Sequence, residues 1–241
     1  MLNEQTTTSM IAEVLKAENL NAAYLAVKAN DGGAGVDGMN IQRTKEHLLR
    51  HWETIETKLL EGRYRPAAVK AVEIPKPNGG IRVLGIPTIT DRILQQATLQ
   101  VLTPVFEPGF SEHSYGFRPK RSAHDAVRAG QAYVKAGKSW VVDLDLKSFF
   151  DQVNHDRLMT LVGHQVKDKA VMKLIGGFLR APMQQSDGSQ QARREGTPQG
   201  GPLSPMLANI YLDPLDKELE RRRLAFVRYA DDSAPGNVHL R

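Results

Sequence analysis

The chain has 241 residues, of which 41% are hydrophobic, enough to bury the core of one large domain or of two interlocked ones. It contains no cysteine, which excludes a disulfide framework and a cysteine-based zinc site. No apolar run approaches the ~20 residues that span a bilayer, and the polar N-terminus lacks the order of a signal peptide. We therefore predict a cytoplasmic protein with no membrane association.

The net charge of +5 is concentrated in one part of the chain. Residues 63–128 carry ten Lys or Arg against five Asp or Glu, which accounts for the whole excess. A localised basic face is typical of a protein that binds a polyanion, because neutralising phosphates releases counterions. A merely solvated surface would have the same composition, so charge alone leaves both interpretations open.

Helices and strands are mixed in the first half of the chain. Apolar residues recur at helical spacing in two segments, separated by a glycine-rich break at 31–38. Alternating residues on both sides of a Lys-Pro-Asn-Gly-Gly turn are typical of a β-hairpin. In chain order we predict helices at 9–29 and 41–61, a β-hairpin at 69–87, and helices at 90–106 and 123–136.

The second half continues this mixture without a regular βαβ repeat, which favours an α+β fold over a doubly wound sheet. Its clearest loop, at 194–205, contains three glycines and three prolines. In chain order we predict a strand at 139–146, helices at 154–164, 168–180 and 205–221, and a strand at 225–229 with a turn at 230–232.

Two pairs of carboxylates accompany apolar strands. Asp143 and Asp145 are two residues apart, so they share one face of a strand and either could reach a metal ion. Asp231 and Asp232 follow the last strand, and either pair alone could be a turn or a helix cap. Carboxylates beside apolar strands are costly unless compensated, and Mg²⁺ is a suitable hard cation. Asp151 is left open as a helix cap or a solvent-facing residue.

Six segments carry a family resemblance through their order and spacing. They are GVDG (35–38), IPKPNGGIRVLGIPT (74–88), SYGFRP (114–119), DLDLKSFFD (143–151), GTPQGGPLSP (196–205) and YADD (229–232). No single segment decides the matter, but chance co-occurrence of all six is implausible. From about residue 30 to residue 232, the chain resembles the reverse transcriptases of group II introns and related retroelements.

The resemblance implies a right-hand polymerase, with fingers and a partial palm built from an antiparallel sheet and packed helices. The thumb of a full-length relative is expected to be absent. The N-terminal extension and fingers would occupy residues 1–138, and the palm 139–241 with some fingers elements interleaved. The implied activity is RNA-directed DNA synthesis, in which two Mg²⁺ ions support transfer of a dNTP to a primer 3′-hydroxyl. The implied partners are an RNA template, expected to be intron RNA, and a DNA primer.

The resemblance also implies roles for particular residues. Asp145, Asp231 and Asp232 match the catalytic, metal-binding carboxylates, and the backbone carbonyl of Leu146 is a further metal contact. Lys as a point charge and Arg as a forked donor suit triphosphate oxygens. The residues implied to bind the dNTP are Lys76, Arg82, Phe150, Gln199 and Gly200.

Phe150 is a candidate sugar gate. It follows Asp145 by five residues, and a bulky apolar ring at that place would exclude a 2′-hydroxyl by sterics and by offering it no hydrogen-bond partner. This favours dNTP over NTP. The alternative is a core phenylalanine, because Phe149 and Phe150 cannot both face one way.

Aromatic residues interleaved with basic ones suggest a nucleic-acid surface. Such residues can stack bases and grip a phosphate backbone, although packing within the fingers is an equal alternative for Tyr115 and Phe117. The residues predicted to bind nucleic acid are Arg63, Arg65, Arg92, Tyr115, Arg118, Lys120 and Arg121.

The resemblance ends at Asp232, after which the chain reads SAPGNVHLR. Pro235 cannot donate a ladder hydrogen bond and Gly236 weakens a strand, so we expect an incomplete hairpin with loosely placed carboxylates. A C-terminal thumb and maturase portion would have to come from elsewhere, so we expect impaired polymerase activity. Two alternatives stay open, an RNA-binding maturase-like module and a non-functional remnant of a mobile element.

Overall fold

The computed structural model describes residues 9–75, 79–138, 140–146 and 148–236, and for Arg82 and residues 232–236 it describes the backbone only. Lys76, predicted to bind the nucleotide, lies outside the described residues. None of the helices in these ranges combines the length and apolar character needed to cross a membrane.

The described ranges contain both helices and strands, as the α+β prediction requires. The helices are α1 (Met10–Leu15), α2 (Ala17–Ala29), α3 (Ile41–Leu60), α4 (Ile89–Phe106), α5 (Ala123–Lys135), α6 (Phe149–Gln152), α7 (His155–Gln165), α8 (Lys169–Arg180) and α9 (Ser204–Arg221). The strands are β1 (Val69–Pro75), β2 (Ile81–Ile86), β3 (Leu144–Asp145), β4 (Met183–Gln184), β5 (Gln190–Gln191), β6 (Ala225–Tyr229) and β7 (Asp232–Gly236).

Most predicted helices begin and end within one residue of the observed ones, because a capping side chain fixes the start. The helix predicted at 9–29 is instead two helices, since Lys16 has extended dihedrals (φ −55°, ψ 136°) that interrupt the helical backbone. The side chains that accept a hydrogen bond from a first-turn N–H belong to Asn40, Thr88, Ser122, Asn154 and Asp168.

The first sheet has four strands in the order β2-β1-β4-β5. Its hairpin is the predicted one, with β1 and β2 antiparallel from Lys70 opposite Ile86 to Pro75 opposite Ile81. The sheet is not purely antiparallel as expected, because β1 pairs with β4 in parallel. The strands β4 and β5 were not predicted, since two-residue polar strands show no alternating pattern.

The second sheet has three antiparallel strands in the order β3-β7-β6. The strand predicted at 139–146 is reduced to Leu144–Asp145 among the described residues, because β3 lies at the sheet edge and pairs with β7 only through Asp232 and Ser233. Its preceding residues Trp140 and Val141 are exposed.

The expectation of an incomplete hairpin is wrong. Strands β6 and β7 pair along their whole length, and Pro235 lies opposite Phe226. Tyr229 and Asp232 flank the turn as a hydrogen-bonded pair. Bonded and non-bonded pairs then alternate along the two strands, so residue 235 is at a position whose N–H does not bond to β6. On its other side, strand β3 pairs with β7 only at Asp232 and Ser233, so Pro235 lies outside that pairing.

A single hydrophobic cluster joins elements from both halves of the chain. Helix α4 lies against α1, α2, α3 and α9, with Leu94 and Leu102 almost fully buried. Leu158 of α7, Ile175 of α8 and Leu207 of α9 belong to the same cluster. The core therefore crosses the predicted division at 138/139, and that division stays a prediction.

Candidate active site

The three-stranded sheet brings the predicted catalytic positions together. Asp145 is paired with Asp232 across β3 and β7, and Asp232 is also paired with Tyr229 across β7 and β6. Asp231 lies in the two-residue turn between β6 and β7, whose first residue, Ala230, has φ 59°, as a type II′ turn requires. Backbone pairing alone thus gathers three aspartates at one end of this sheet.

A cleft of about 610 Å³ opens beside these strands. Asp145 and Asp231 line it together with Phe150 and Gln199. Asp143 lies just outside β3, is exposed and does not line this cleft. Of the two carboxylates that the sequence left open, the structure therefore favours Asp145.

The oxygen donors at the cleft suit a hard divalent cation. Asp145 and Asp231 contribute carboxylates, and Leu146 lines the same cleft. Among the described residues, no group of three or more acidic or His side chains could hold an ion. The third expected carboxylate, that of Asp232, belongs to a residue described by its backbone only. The chemistry of the donor set fits Mg²⁺, and the backbone register puts the third aspartate next to the first.

A buried ion-pair network lies directly behind the turn, and sequence reasoning missed it. Arg228 is 1% exposed, and its guanidinium donates to both carboxylate oxygens of Asp216 at 2.6–3.1 Å. It also donates to Asn209 Oδ1, Ser114 Oγ and the backbone carbonyl of Ala230. The bond to Ala230, 2.7 Å long, ties the network to the turn that carries the carboxylates.

The segment SYGF packs against the same turn. The N–H of Tyr115 donates to the carbonyl of Arg228, and the N–H of Arg228 donates to the carbonyl of His113. A Cβ on Gly116 would lie 2.1 Å from the backbone nitrogen of Ala230, a distance that no real side chain tolerates. Gly116 is therefore required for the close approach of this segment to the turn that carries Asp231.

The loop at 196–205 is bonded both to β2 of the first sheet and to helix α6. The N–H of Thr197 donates to the carbonyl of Phe150, and the N–H of Gly85 in β2 donates to the carbonyl of Gln199. Gly200 has φ 138°, and a Cβ there would lie 2.5 Å from the Gly85 carbonyl oxygen. This loop thus holds Gln199 between β2 and the helix that carries Phe150.

Phe150, the candidate sugar gate, lines the same cleft as Asp145 and Asp231. It lies on α6, half-buried, and its ring is 5.3 Å from that of Phe149 and 6.3 Å from that of Phe117. Phe149 is buried in the core, so the two rings do differ in direction as expected. Asp151 lies on the same helix and is exposed, and Asn154 rather than Asp151 caps α7.

The predicted nucleic-acid residues divide into exposed and buried groups. Arg63, Arg65 and Lys120 are exposed, although Arg63 forms an ion pair with Glu61. Arg121 lies over the ring of half-buried Tyr115, with 5.4 Å from its guanidinium carbon to the ring centroid.

Arg118 and Arg92 need a correction, because both hold the fold together. Arg118 is buried, pairs with Glu107 at 2.8 Å and donates to the carbonyls of Ser111 and Ser114. Its donors are thus used within the protein, and we withdraw it as a nucleic-acid contact. Arg92 is also buried and donates to carbonyls in the glycine-rich segment 31–38, although it lines a second cleft near Phe150.

Asp91, in the first turn of α4, is a second buried charged residue that bonds separate segments of the chain together. Its carboxylate accepts hydrogen bonds from Thr88 Oγ1 at 2.7 Å, Tyr64 Oη at 2.8 Å and the N–H of Ala67 at 3.0 Å. Burial raises the pKa of Asp91, while these bonds oppose the rise. They fix the segment before β1 to the start of α4.

Residues 74–234 match the reverse transcriptase (RNA-dependent DNA polymerase) family. The chain belongs to the reverse transcriptase family. Protein YkfC of Escherichia coli (strain K12) is 40% identical over 195 residues, covering 79% of this chain and 51% of YkfC. The group II intron-encoded protein LtrA of Lactococcus lactis subsp. cremoris is 34% identical over 233 residues, covering 93% of this chain and 37% of LtrA.

The likeness of this reverse transcriptase chain to group II intron-encoded proteins is therefore confirmed, and it spans about half the length of YkfC and just over a third of LtrA. Among solved structures, a chain of the partial Cas6-RT-Cas1–Cas2 complex superposes with a TM-score of 0.62 at 24% identity. That match covers 95% of this chain and 38% of the other. The predicted α+β polymerase fold is confirmed by this likeness.

Proposed function

We propose that this chain carries the nucleotidyl-transfer site of an RNA-directed DNA polymerase of the group II intron type. The reaction joins a dNTP to the 3′-hydroxyl of a DNA primer on an RNA template, for which intron RNA is the expected source. The observation that carries the proposal is the meeting of Asp145, Asp231 and Asp232 beside a cleft that Phe150 and Gln199 also line.

The carboxylates have one common task, which is to hold metal. Reverse transcriptases use divalent ions, and two Mg²⁺ ions, when bound, activate the primer hydroxyl and stabilise the leaving pyrophosphate. Asp145, Asp231 and Asp232 would hold them, with the backbone carbonyl of Leu146 as a further oxygen donor. The network of Arg228 behind the turn keeps these donors in place.

The incoming nucleotide would lie in the cleft that β2 and the loop at 196–205 both line. Lys76 and Arg82 are proposed to bind its phosphates, and the residues on both sides of Arg82 line the cleft. Gln199 and Gly200 would lie beside the base and sugar, since their loop is bonded to β2. The exposed basic residues Arg63, Arg65 and Lys120, together with half-buried Arg121 and Tyr115, are proposed to contact nucleic acid.

Single-nucleotide addition tests the proposal. Purified chain is mixed with an annealed RNA template and DNA primer, Mg²⁺ and the matching dNTP. We expect addition by the wild type, no addition by Asp145→Asn, and normal addition by Asp143→Asn. Asp143→Asn is a matched control. It removes the same charge from a carboxylate that lies two residues away from Asp145 and outside the cleft. Equal activity of the Asp145 variant and the wild type would contradict the proposal.

The gate is tested by comparing dNTP with NTP addition. Phe150→Ala should lower the preference for dNTP by roughly tenfold or more, the scale of discrimination that a few apolar atoms provide. Phe117→Ala is the control, because its ring contacts Phe150 but does not line the catalytic cleft. Unchanged selectivity in Phe150→Ala would mean that this ring serves packing only.

A second candidate function is an RNA-binding, maturase-like module, which the basic stretch at 63–128 favours. Such a module would bind structured RNA in a salt-sensitive manner without polymerising. RNA binding that survives in Asp145→Asn, together with no nucleotide addition by the wild type, would favour this candidate over the polymerase.

A further inference from the structure

A compartment lined mainly by residues 191–199 continues from the catalytic cleft. It has a volume of about 380 Å³ and shares five lining residues with the cleft, among them Asp151 and Gln199. It contains neither Asp145 nor Asp231. Its distinctive side chains are Arg193 and Thr197, which lie just before Gln199 in the chain.

Both of these side chains have polar atoms withdrawn from water without a partner. The two terminal nitrogens of Arg193 are buried, and no hydrogen-bond acceptor for them exists among the described residues. The same holds for Oγ1 of Thr197, a residue that is only 3% exposed. Buried donors without acceptors are rare in folded proteins and are costly, most of all for a charged group.

An anion would be a suitable partner for the guanidinium of Arg193. Asp151 is the carboxylate that acts on it electrostatically, but it forms no ion pair with Arg193 in the described part of the chain. Asp151 and Glu195, which also line the compartment, are exposed, so water screens their charges. Burial lowers the pKa of Arg193, as expected for a cation that has lost water and gained no ligand.

The side chain can reach a ligand in the compartment. Arg193 as a whole residue is only half-buried and lines the compartment, so part of its side chain faces the open volume. A guanidinium presents its donors as a planar fork that matches two phosphate oxygens, and a threonine hydroxyl can add a third contact.

We propose that this compartment binds a phosphodiester of the RNA template strand, held by Arg193 and Thr197. The proposal rests on the proposed polymerase function. The triphosphate of the incoming nucleotide must lie with the metal-binding aspartates, and the compartment contains no described member of that set. A phosphate here, next to Gln199 and continuous with the catalytic cleft, therefore belongs to the strand that is being copied.

Binding of a labelled RNA template annealed to a DNA primer, measured by fluorescence anisotropy over a salt series, tests this assignment. Arg193→Met should weaken binding by about tenfold, the scale of a charged hydrogen bond, and reduce the salt slope by about one. Arg193→Lys should keep the slope and lose part of the affinity. Arg222→Met, which removes an equal charge from the exposed end of α9, should change neither quantity.

Two further measurements are needed. One decides whether the bound anion belongs to the template or to the triphosphate, and the other decides whether Arg193 only stabilises the fold. The KM for dNTP at saturating template–primer should be unchanged in Arg193→Met. The Tm of the free protein should not fall, because the guanidinium has no described partner to lose. A raised KM with unchanged RNA affinity would assign the anion to the triphosphate and overturn the proposal, as would a lower Tm or unchanged binding. A wild-type chain that binds no template–primer would overturn the proposed function as well.

Discussion

The buried network behind the proposed catalytic turn gives the sharpest prediction. Replacing Arg228 by Met keeps most of the apolar volume but removes the cation that Asp216 faces inside the protein, where Asp216 is 0% exposed. It also removes the donors to Asn209, Ser114 and the carbonyl of Ala230. Breaking a buried ion pair on one side costs about 3–5 kcal/mol of unfolding free energy, because the remaining charge is left uncompensated.

The assay is denaturant unfolding, and the change in stability is obtained from the shift in the transition midpoint. An unchanged slope m shows that unfolding stays two-state. Arg221→Met is a matched control, because Arg221 also forms a two-pronged pair, with Glu218, but 71% of its side chain is exposed. We expect that control to change stability by less than about 1 kcal/mol.

The double variant Arg228→Met/Asp216→Leu isolates the cause. If the uncompensated carboxylate dominates, removing it as well should recover on the order of 1–3 kcal/mol relative to the sum of the single variants. A loss below about 1 kcal/mol in Arg228→Met, or strict additivity of the two changes, would refute the reasoning.

Three further outcomes are expected. Gly116→Ala should destabilise the protein and slow single-nucleotide addition, because its Cβ meets the catalytic turn, whereas Gly109→Ala, which meets nothing within 4 Å, should do neither. Gly200→Ala should raise the KM for dNTP, because it strains a backbone at φ 138°. Ser122→Ala should lower the unfolding free energy by about 1 kcal/mol through loss of a helix cap. Hydrogen bonds from Ser122 and then from Arg128 lower the pKa of Asp125 to about 2, so the wild-type contribution is complete above pH ~4 and lost as pH falls through about 2. Urea titrations across this window should show a smaller loss in Ser122→Ala, because Arg128 and the N–H of residue 122 still bond to Asp125.

The helices could be predicted from the sequence because local chemistry decides where they start. Ser122 and Asp125, for example, bond reciprocally at the start of α5, and both residues are visible in the sequence three positions apart. Strand β3 could not be predicted to the same accuracy, because its length depends on how many of its residues pair with β7, and only two do. Pairing between distant segments cannot be predicted from the sequence of either segment alone.

The buried network could have been suspected but not specified. Arg228 follows Phe226 by two residues, so both lie on one face of β6, and Phe226 is an obvious core residue. Asp216 lies four residues after Leu212 and three before Leu219, on the buried stripe of α9. A cation and an anion in two apolar patterns hint at a buried pair, but only the fold shows that they meet.

The glycine-containing motifs explain why the resemblance is so specific, since each one contacts another. A Cβ on Gly35 would lie 2.6 Å from Thr88, which ends the hairpin motif, and one on Gly116 would displace the YADD turn. A Cβ on Gly196 would lie 2.8 Å from the carbonyl of Asp151, which ends the motif that begins near Asp145. Chemistry alone requires only a few carboxylates, and those are weak signals in a sequence. The glycines are needed because the segments that carry the chemistry approach one another backbone to backbone, so the motifs mark the junctions of the fold as much as the site.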